Sequence, residues 1–215
     1  MPMRLFAPWN ASCYIANSLD RASGTTRGTP MNQTLQIPRP EHPRPQFERE
    51  DWINLNGTWT FEFDFGHSGR DAGRTLYKSQ GFDREITVPF CPESRLSGVG
   101  HTDFIEDMWY HRQIGIPAAW KGRKVLLHFG GVDFESEIYV DGVSAGFHFG
   151  GSASFTHDLT PYVKAGATHD LVVRVHDVSR GSSGQPRGKQ CSSYKSAGCH
   201  YTRTTGIWQT VWLEA

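Results

Sequence analysis

The sequence lacks several features that define other classes of protein. It contains no uninterrupted apolar run of 18 residues, so a membrane-spanning helix is not expected. It also has no excess of one charge, because 22 Lys and Arg residues balance 22 Asp and Glu residues. Electrostatic binding to nucleic acid or to an anionic membrane needs a basic excess, so neither partner is expected. No amphipathic segment of about twelve residues is present, which argues against a helical fold.

Cysteine is scarce, and its spacing fits neither a disulfide framework nor a zinc site. Cys191, Cys199 and His200 lie close in sequence, but no Cys-x-x-Cys pair is present to hold a tetrahedral metal ion. The sequence therefore predicts free or buried thiols in a reducing compartment, with no metal and no cofactor. Phosphate-binding, dinucleotide-binding and nucleophile-elbow motifs are also missing.

Residues 1–36 differ in hydrophobic pattern from the rest of the chain. They carry no sustained hydrophobic period, and their apolar stretch is broken by Pro8, Asn10 and Ser12, which is unlike a signal peptide. We expect this tail to be poorly ordered or loosely docked, and the protein to be cytoplasmic. Residues 37–215 are expected to form one domain, because a core of roughly 170 residues can bury most of its apolar surface.

The chain is rich in aromatic residues, at 13%, and in short alternating segments. The clearest predicted strand is Thr58–Phe65, in which aromatic and polar residues alternate. Its expected buried face consists of Trp59, Phe61, Phe63 and Phe65. Further strands are predicted at Lys124–Phe129, Glu137–Val140, Phe147–Phe149, His169–His176 and Ile207–Leu213.

Turn signals separate these strands. Asp141-Gly142 predicts a type I′ hairpin, because both residues tolerate positive φ. Trp208 and Trp212 are predicted to lie in the core. Many short strands with a turn about every ten residues indicate an all-β sandwich or jelly roll.

The segments Cys91–Tyr110 and Gln190–Arg203 are the candidate functional loops. The first combines aromatic residues with the ionisable residues Glu93, His101, Asp103, Glu106 and Asp107. Carboxylates accept hydrogen bonds from sugar hydroxyls and rings stack on sugar C–H faces, so sugar binding is one hypothesis. The other is a solvated acidic loop whose rings turn into the core. Hydrolysis by a carboxyl pair is disfavoured, because acids on one flexible loop lack rigid support.

Six segments resemble, in order, the amino-terminal sugar-binding domain of glycoside hydrolase family 2. They are INLNGTWTFEFD, VPFCPESRLSGVG, MWYHRQIGIP, LLHFGGVDFESEIYVDG, DLVVRVHD and YTRTTGIWQTVWLE. The similarity runs from about Ile37 to Glu214. The family includes β-galactosidases, β-glucuronidases and β-mannosidases, and the resemblance implies a galactose-binding-domain-like jelly-roll β-sandwich.

The resemblance also implies partners. In the family, an immunoglobulin-like domain and a (β/α)₈ barrel follow this domain, and the barrel carries both catalytic glutamates. A barrel alone needs roughly 250 residues, so this chain is expected to hold no catalytic residue. Its expected partners are carbohydrate and those two domains.

The family's site residues can be transferred to this sequence by motif. In family β-galactosidases, two jelly-roll loops each place one polar residue in the barrel's active site, and the matching positions here are Asp103 and His200. Aspartate can occupy the second position in β-galactosidases, so His200 is a departure that leaves the identity of the sugar open. Arg203, through charge-assisted hydrogen bonds, and Trp109 are expected to support these loops.

Three functions remain open from the sequence. The chain is the non-catalytic sugar-binding domain of a family 2 exo-β-glycosidase that hydrolyses terminal β-glycosides such as β-galactosides. Alternatively, it is an autonomous lectin-like module, or a structural domain that packs against a barrel. Sugar affinity separates the first two, and the oligomeric state of the purified chain tests the third.

Overall fold

Short antiparallel strands dominate the computed structural model, which describes residues 37–77, 81–180 and 184–215. The strands are β1 (Trp52–Asn54), β2 (Gly57–Phe63), β3 (Arg84–Val88), β4 (Asp107–Gly115), β5 (Leu126–Phe129), β6 (Val132–Asp133), β7 (Glu135–Val140), β8 (Val143–Phe149), β9 (Phe155–Asp158), β10 (Thr168–His176), β11 (Gly206–Ile207) and β12 (Val211–Glu214). Single 3-10 turns occur at Pro45–Phe47, Arg95–Ser97 and Ala118–Trp120. None of the described helices has the length and hydropathy needed to cross a bilayer. The predicted tail, residues 1–36, lies outside the described residues.

Two large sheets and one small sheet contain all of these strands. The strand order is β3-β2-β4-β10-β7-β8 in the six-stranded sheet and β1-β12-β5-β9 in the four-stranded sheet, and β11 pairs with β6. Each described strand pair is antiparallel. This architecture confirms the predicted all-β jelly-roll sandwich.

One hydrophobic core combines side chains from both large sheets. The six-stranded sheet contributes Trp59, Phe61, Tyr110, Ile138, Leu171, Val173 and Val175, and the four-stranded sheet contributes Leu127, Phe129, Val211 and Leu213. The buried face predicted for β2 is therefore confirmed from Trp59 to Phe63, and β5 and β10 form where strands were predicted. Rings meet edge to face within this core, as between Phe61 and Tyr110, whose centroids lie 4.9 Å apart.

The hairpin between β7 and β8 also follows its prediction. Asp141 and Gly142 have φ angles of 48° and 82°, and Val140 pairs directly with Val143. Both turn residues thus have the positive φ that a type I′ turn requires.

Phe65 departs from the predicted buried face, since it is 66% exposed. The reason is that β2 ends at Phe63 and the chain turns at Asp64. The Asp64 carboxylate accepts hydrogen bonds from the backbone N–H groups of Ser68, at 3.0 Å, and Gly69, at 2.7 Å. These bonds stabilise a turn instead of further strand.

The predicted strand Ile207–Leu213 is wrong as a single element. Gly206–Ile207 pairs with β6, whereas Val211–Glu214 pairs with β1 and β5, so the chain changes sheet between them. Trp212 is buried as predicted, but Trp208 is only partly buried, and its indole N–H donates to the Gly151 carbonyl at 2.7 Å. Period-two alternation alone cannot show where a chain crosses from one sheet to another.

Candidate functional site

Two long loops lie at the same end of the six-stranded sheet, where β4 begins and β10 ends. Loop A, residues 89–106, precedes β4, and loop B, residues 177–205, follows β10. Asp107, the first residue of β4, pairs with His176, the last residue of β10. Antiparallel pairing therefore brings both loops to one end of the sandwich. Residues Asp107–Tyr110, which the sequence analysis assigned to a loop, are the start of β4 instead.

Arg203 joins the two loops. Its Nη1 donates hydrogen bonds to the carbonyl oxygens of Cys191, at 3.1 Å, and Ser193, at 2.9 Å, both in loop B. Its Nη2 donates to the Thr102 carbonyl in loop A. The guanidinium carbon also lies 4.0 Å from the ring centroid of Phe104. Because Arg203 is only 2% exposed, these charge-assisted bonds are shielded from water and fix one loop against the other.

Aromatic side chains surround this junction. The rings of Phe104 and Tyr194 meet edge to face with centroids 5.2 Å apart, and the Arg180 guanidinium lies 5.4 Å from the Phe104 centroid. Tyr194 is 61% exposed and Tyr201 is 64% exposed. Exposed rings of this kind can stack on the apolar face of a sugar.

Asp103 and His200 are both exposed to solvent. Asp103 sits between Thr102 and Phe104, the two loop A residues that contact Arg203, and its Oδ1 accepts a hydrogen bond from the Phe104 N–H at 2.7 Å. His200 lies three residues before Arg203, and its backbone N–H donates to the Ala197 carbonyl at 3.1 Å. Within the described part of the chain, no hydrogen bond or ion pair joins the Asp103 and His200 side chains. The structure therefore does not bring these two side chains together through a direct polar contact.

Trp109 lies on β4 and is completely buried. Its indole N–H donates to Asp64 Oδ2 at 3.1 Å, and its ring packs with Phe82, Tyr139 and Val172 on the outer face of the six-stranded sheet. The structure therefore connects Trp109 to the turn after β2, whereas Arg203 contacts both loops directly.

Two carboxyl groups, those of Glu93 and Asp133, accept hydrogen bonds from loop B, a role that was not predicted from the sequence. Glu93 accepts hydrogen bonds from the Thr205 hydroxyl, at 2.6 Å, and from the Thr205 N–H, at 3.2 Å. Asp133 accepts one from the Gln190 side chain at 2.6 Å. Burial raises the pKa of Glu93 to about 7, and burial with repulsion from Asp177 raises the pKa of Asp133 to about 7.

Carboxyl pKa values near 7 suit proton transfer, but these oxygens already bond to loop residues. The groups therefore act as supports for the loop. Their partners are 112 and 57 residues away in sequence, so no local motif could reveal them.

Among the cysteines that the structure describes, Cys91 and Cys191 are buried and Cys199 is exposed. Cys199 Sγ lies 3.9 Å from His200 Nδ1. Cys191 contributes its carbonyl oxygen to the contact with Arg203 and its thiol to a 3.4 Å contact with the Lys195 carbonyl. The three residues are therefore not arranged as ligands of one metal ion.

The fold and this loop junction define a class of protein: a jelly-roll domain that presents a polar and aromatic surface on loops at one end of a β-sandwich. Residues 75–213 match the family model described as glycosyl hydrolases family 2, sugar binding domain. The chain belongs to this family.

Individual relatives agree with the family assignment. The chain is 31% identical to a β-galactosidase of Thermoanaerobacter pseudethanolicus, over 76% of this chain and 21% of that protein. It is 30% identical to a β-galactosidase of Bacteroides ovatus, over 80% of this chain and 16% of that protein. It is also 30% identical to a β-glucuronidase of Felis catus, over 57% of this chain and 20% of that protein. The chain thus spans about a fifth of the length of these relatives.

A solved structure has the same fold. The β-glucuronidase of Ruminococcus gnavus, in complex with a C6-substituted uronic isofagomine, superposes with a TM-score of 0.61 at 20% identity. The match covers 78% of this chain and 30% of that protein.

Proposed function

We propose that this chain is the non-catalytic sugar-binding domain of a larger family 2 exo-β-glycosidase that hydrolyses terminal β-glycosides such as β-galactosides. Asp103 and His200 contact the terminal sugar, and an immunoglobulin-like domain and a barrel supply the rest of the enzyme, including its catalytic acids. The observation that carries this proposal is the Arg203 junction, which fixes the two loops beside each other in a family 2 sugar-binding domain.

The chemistry of the exposed residues supports sugar recognition. The Asp103 carboxylate can accept hydrogen bonds from two sugar hydroxyls, and the His200 imidazole can both donate and accept. Arg203 keeps Thr102 and Phe104 in place, so Asp103 is held on a fixed stretch of backbone. Preorganisation of this kind lowers the entropic cost of binding.

The arrangement of acids supports a non-catalytic role. Hydrolysis by two carboxyl groups requires a pair roughly 5–9 Å apart on either side of a glycosidic bond. In loop A, Glu93 is bonded to Thr205 and Glu106 lies 3.6 Å from His67. Within loop A, Asp103 is therefore the acid for which the structure describes no side-chain partner, and a single carboxylate does not provide the pair that this reaction needs.

The test is titration of the ¹⁵N-labelled full chain with galactose and, separately, with glucuronate, followed by NMR. We expect weak binding, with a dissociation constant above about 1 mM, because one side of a pocket supplies few contacts. Shifts should centre on Asp103 and His200, and Asp103→Asn and His200→Asn should reduce them. Glu48→Gln, an exposed change far in sequence from both loops, should leave the titration unchanged.

An enzymatic assay completes the test. The purified chain should not release nitrophenol from nitrophenyl β-galactoside or β-glucuronide. Turnover that copurifies with the chain, or shifts that are identical in Asp103→Asn, would contradict the proposal.

The exposed rings of Tyr194 and Tyr201 favour a second candidate, an autonomous lectin-like module. Such a module would complete its own site and bind a monosaccharide or oligosaccharide at 1 mM or tighter. Calorimetry on the same samples separates the two functions, since the Asp103→Ala variant of a lectin would lose this saturable binding.

A docking surface for other domains is supported by the edge strand β8. Phe147 is 68% exposed and Phe149 is 56% exposed, and their ring centroids lie 5.5 Å apart. Exposed apolar surface of this kind is typical of an interface. Light scattering should therefore detect self-association of the purified chain, and Phe147→Ser should reduce it.

A further inference from the structure

Two histidines and one aspartate meet beside the bases of loops A and B. His67 lies in the turn after β2, Asp107 begins β4, and His176 ends β10. Nδ1 of His176 is 2.9 Å from Oδ2 of Asp107, and Nδ1 of His67 contacts the same oxygen. One ligand atom from each residue lies within 4.8 Å of the other two.

This donor set suits a transition-metal ion. Two imidazole nitrogens with one carboxylate oxygen are ligands typical of Zn²⁺, whereas Ca²⁺ and Mg²⁺ prefer oxygen ligands alone. Donor atoms of a tetrahedral zinc site lie roughly 3.3 Å apart, so the three side chains need only small rotations to bind one ion. The His67 side chain is 49% exposed and has room for such a rotation.

Charged side chains contact the second polar atom of His67 and of Asp107. Glu106 Oε2 lies 3.6 Å from Nε2 of His67, and Arg174 Nη2 contacts Oδ1 of Asp107. Bound imidazoles usually face a carboxylate with their second nitrogen, and this contact orients the ring. Both histidine Nδ1 atoms and Asp107 Oδ2 are therefore left to face a common point.

The local charge balance does not oppose a cation. Arg174 is shared with a second carboxylate, since its Nη1 lies 3.5 Å from Glu137 Oε1. Glu137 also pairs with Arg70, and the negative charges of Glu106, Asp107 and Glu137 still exceed the positive charges of Arg70 and Arg174 when the imidazoles are neutral.

We propose that His67, Asp107 and His176 bind one divalent transition-metal ion, for which Zn²⁺ is the best match, and that the exposed side of His67 leaves a fourth position to water. The ion ties the turn after β2 to the strand ends from which loops A and B leave. No metal site was predicted from the sequence, because these three residues form no local motif. Asp107 is 40 residues from His67 and 69 from His176, so only the pairing of β4 with both β2 and β10 brings the three together.

The test uses the chelator-treated full chain and zinc chloride in isothermal titration calorimetry. We expect one site in the micromolar range or tighter, together with a rise in the thermal unfolding midpoint when zinc is added. His67→Asn and His176→Asn should each weaken binding at least about tenfold, and circular dichroism should show that both variants remain folded.

Two matched variants exclude other zinc-binding groups. His169→Asn removes a histidine whose Nδ1 pairs with Asp141 at 2.6 Å without a second histidine, and it should bind zinc as the unchanged chain does. Cys199→Ser removes the exposed thiol beside His200 and should also have no effect. Cobalt chloride should produce visible d–d absorption without a thiolate charge-transfer band.

Several results would overturn the proposal. One is the absence of zinc binding tighter than about 100 μM in the unchanged chain. Equal affinity in His176→Asn, or loss of binding in Cys199→Ser, would assign the ion to other residues. The proposed sugar site can fail or succeed independently, because the zinc titration uses neither Asp103 nor His200.

Discussion

The guanidinium carbon of Arg203 lies 4.0 Å from the ring centroid of Phe104. This contact accompanies a hydrogen bond from Arg203 to the Thr102 carbonyl, 101 residues earlier in the chain. One buried side chain therefore connects two loops that lie far apart in the sequence. The proposed sugar-contact residues depend on this connection, since Asp103 is adjacent to both partners in loop A.

Arg203→Lys should destabilise the chain by about 2–4 kcal/mol, because one ammonium group cannot replace a planar guanidinium group that donates hydrogen bonds to three carbonyl oxygens. Urea unfolding followed by tryptophan fluorescence measures the change. Arg39→Lys is the control, since Arg39 pairs with Glu41 at the surface with a side chain that is 58% exposed. The control should change stability by less than about 1 kcal/mol, and an equal loss in both variants would contradict the assigned role of Arg203.

Gly206→Ala should destabilise the chain by about 3 kcal/mol or more. A Cβ atom at this position would overlap the Tyr110 hydroxyl oxygen and lie 2.9 Å from Met108 Sδ, and the residue has a φ of +77°. Thermal unfolding measures the loss. Gly198→Ala separates the two causes, because Gly198 also has a positive φ, +59°, but nothing within 4 Å of the added atom. The control should cost about 1 kcal/mol, and similar losses would show that the contact with Tyr110 is unimportant.

Glu93→Gln should change how stability depends on pH. Burial raises the pKa of Glu93 in the folded chain from 4.5 to about 7, so the folded state holds this proton more tightly than the unfolded state. The resulting stability is fully present below about pH 4.5 and is lost as pH rises through 7. Glutamine cannot ionise, so the variant should gain on the order of 1–3 kcal/mol over the unchanged chain between pH 5 and pH 8.

The measurement is the free energy of unfolding at pH 5 and at pH 8 for the unchanged chain, Glu93→Gln and the surface control Glu48→Gln. The control should follow the unchanged chain. The pKa of Asp133 is also raised to about 7, so the free energy of unfolding of Glu93→Gln should still fall as pH rises, but less steeply than that of the unchanged chain. If the stability of all three proteins changed equally between pH 5 and pH 8, Glu93 would be ionised in the folded chain at neutral pH, and the prediction would be wrong.

Trp109→Phe should destabilise the chain by about 1–3 kcal/mol, because it leaves the buried Asp64 carboxylate without the indole donor at 3.1 Å. Trp208→Phe is the matched change at an indole that donates to a neutral carbonyl, Gly151, at 2.7 Å. Its cost should be smaller, at about 1 kcal/mol, since hydrogen bonds to charged groups contribute more. Calorimetric unfolding would contradict this ranking if Trp208→Phe proved the more harmful variant.

The strand predictions were correct where they depended only on the pattern of neighbouring residues. Alternation placed Trp59, Phe61 and Phe63 in the core, and Asp141-Gly142 formed the expected hairpin. Prediction failed at Phe65, where Asp64 bonds to backbone N–H groups and ends the strand. It also failed after Ile207, where the chain moves to another sheet. Both failures depend on contacts that a period-two pattern does not contain.

The candidate site was only partly accessible from sequence. Motif resemblance selected Asp103, His200 and Arg203, and the structure adds how Arg203 is bonded. Glu93 and Asp133 were missed as loop supports, because their partners lie in distant segments. A carboxylate in a loop has the same local sequence signal whether it is solvated or buried.

The sequence by itself determined the strand-rich class, the turn chemistry and the family, because these depend on neighbouring residues or on ordered motifs along the chain. Only the tertiary structure decided that Arg203 meets Thr102 and that His67 and His176 share Asp107. The physical reason is the order of the antiparallel strands. The pairing of β4 with β10 brings the ends of strands that are distant in sequence to one end of the sheet, and no local pattern encodes which strands will be neighbours.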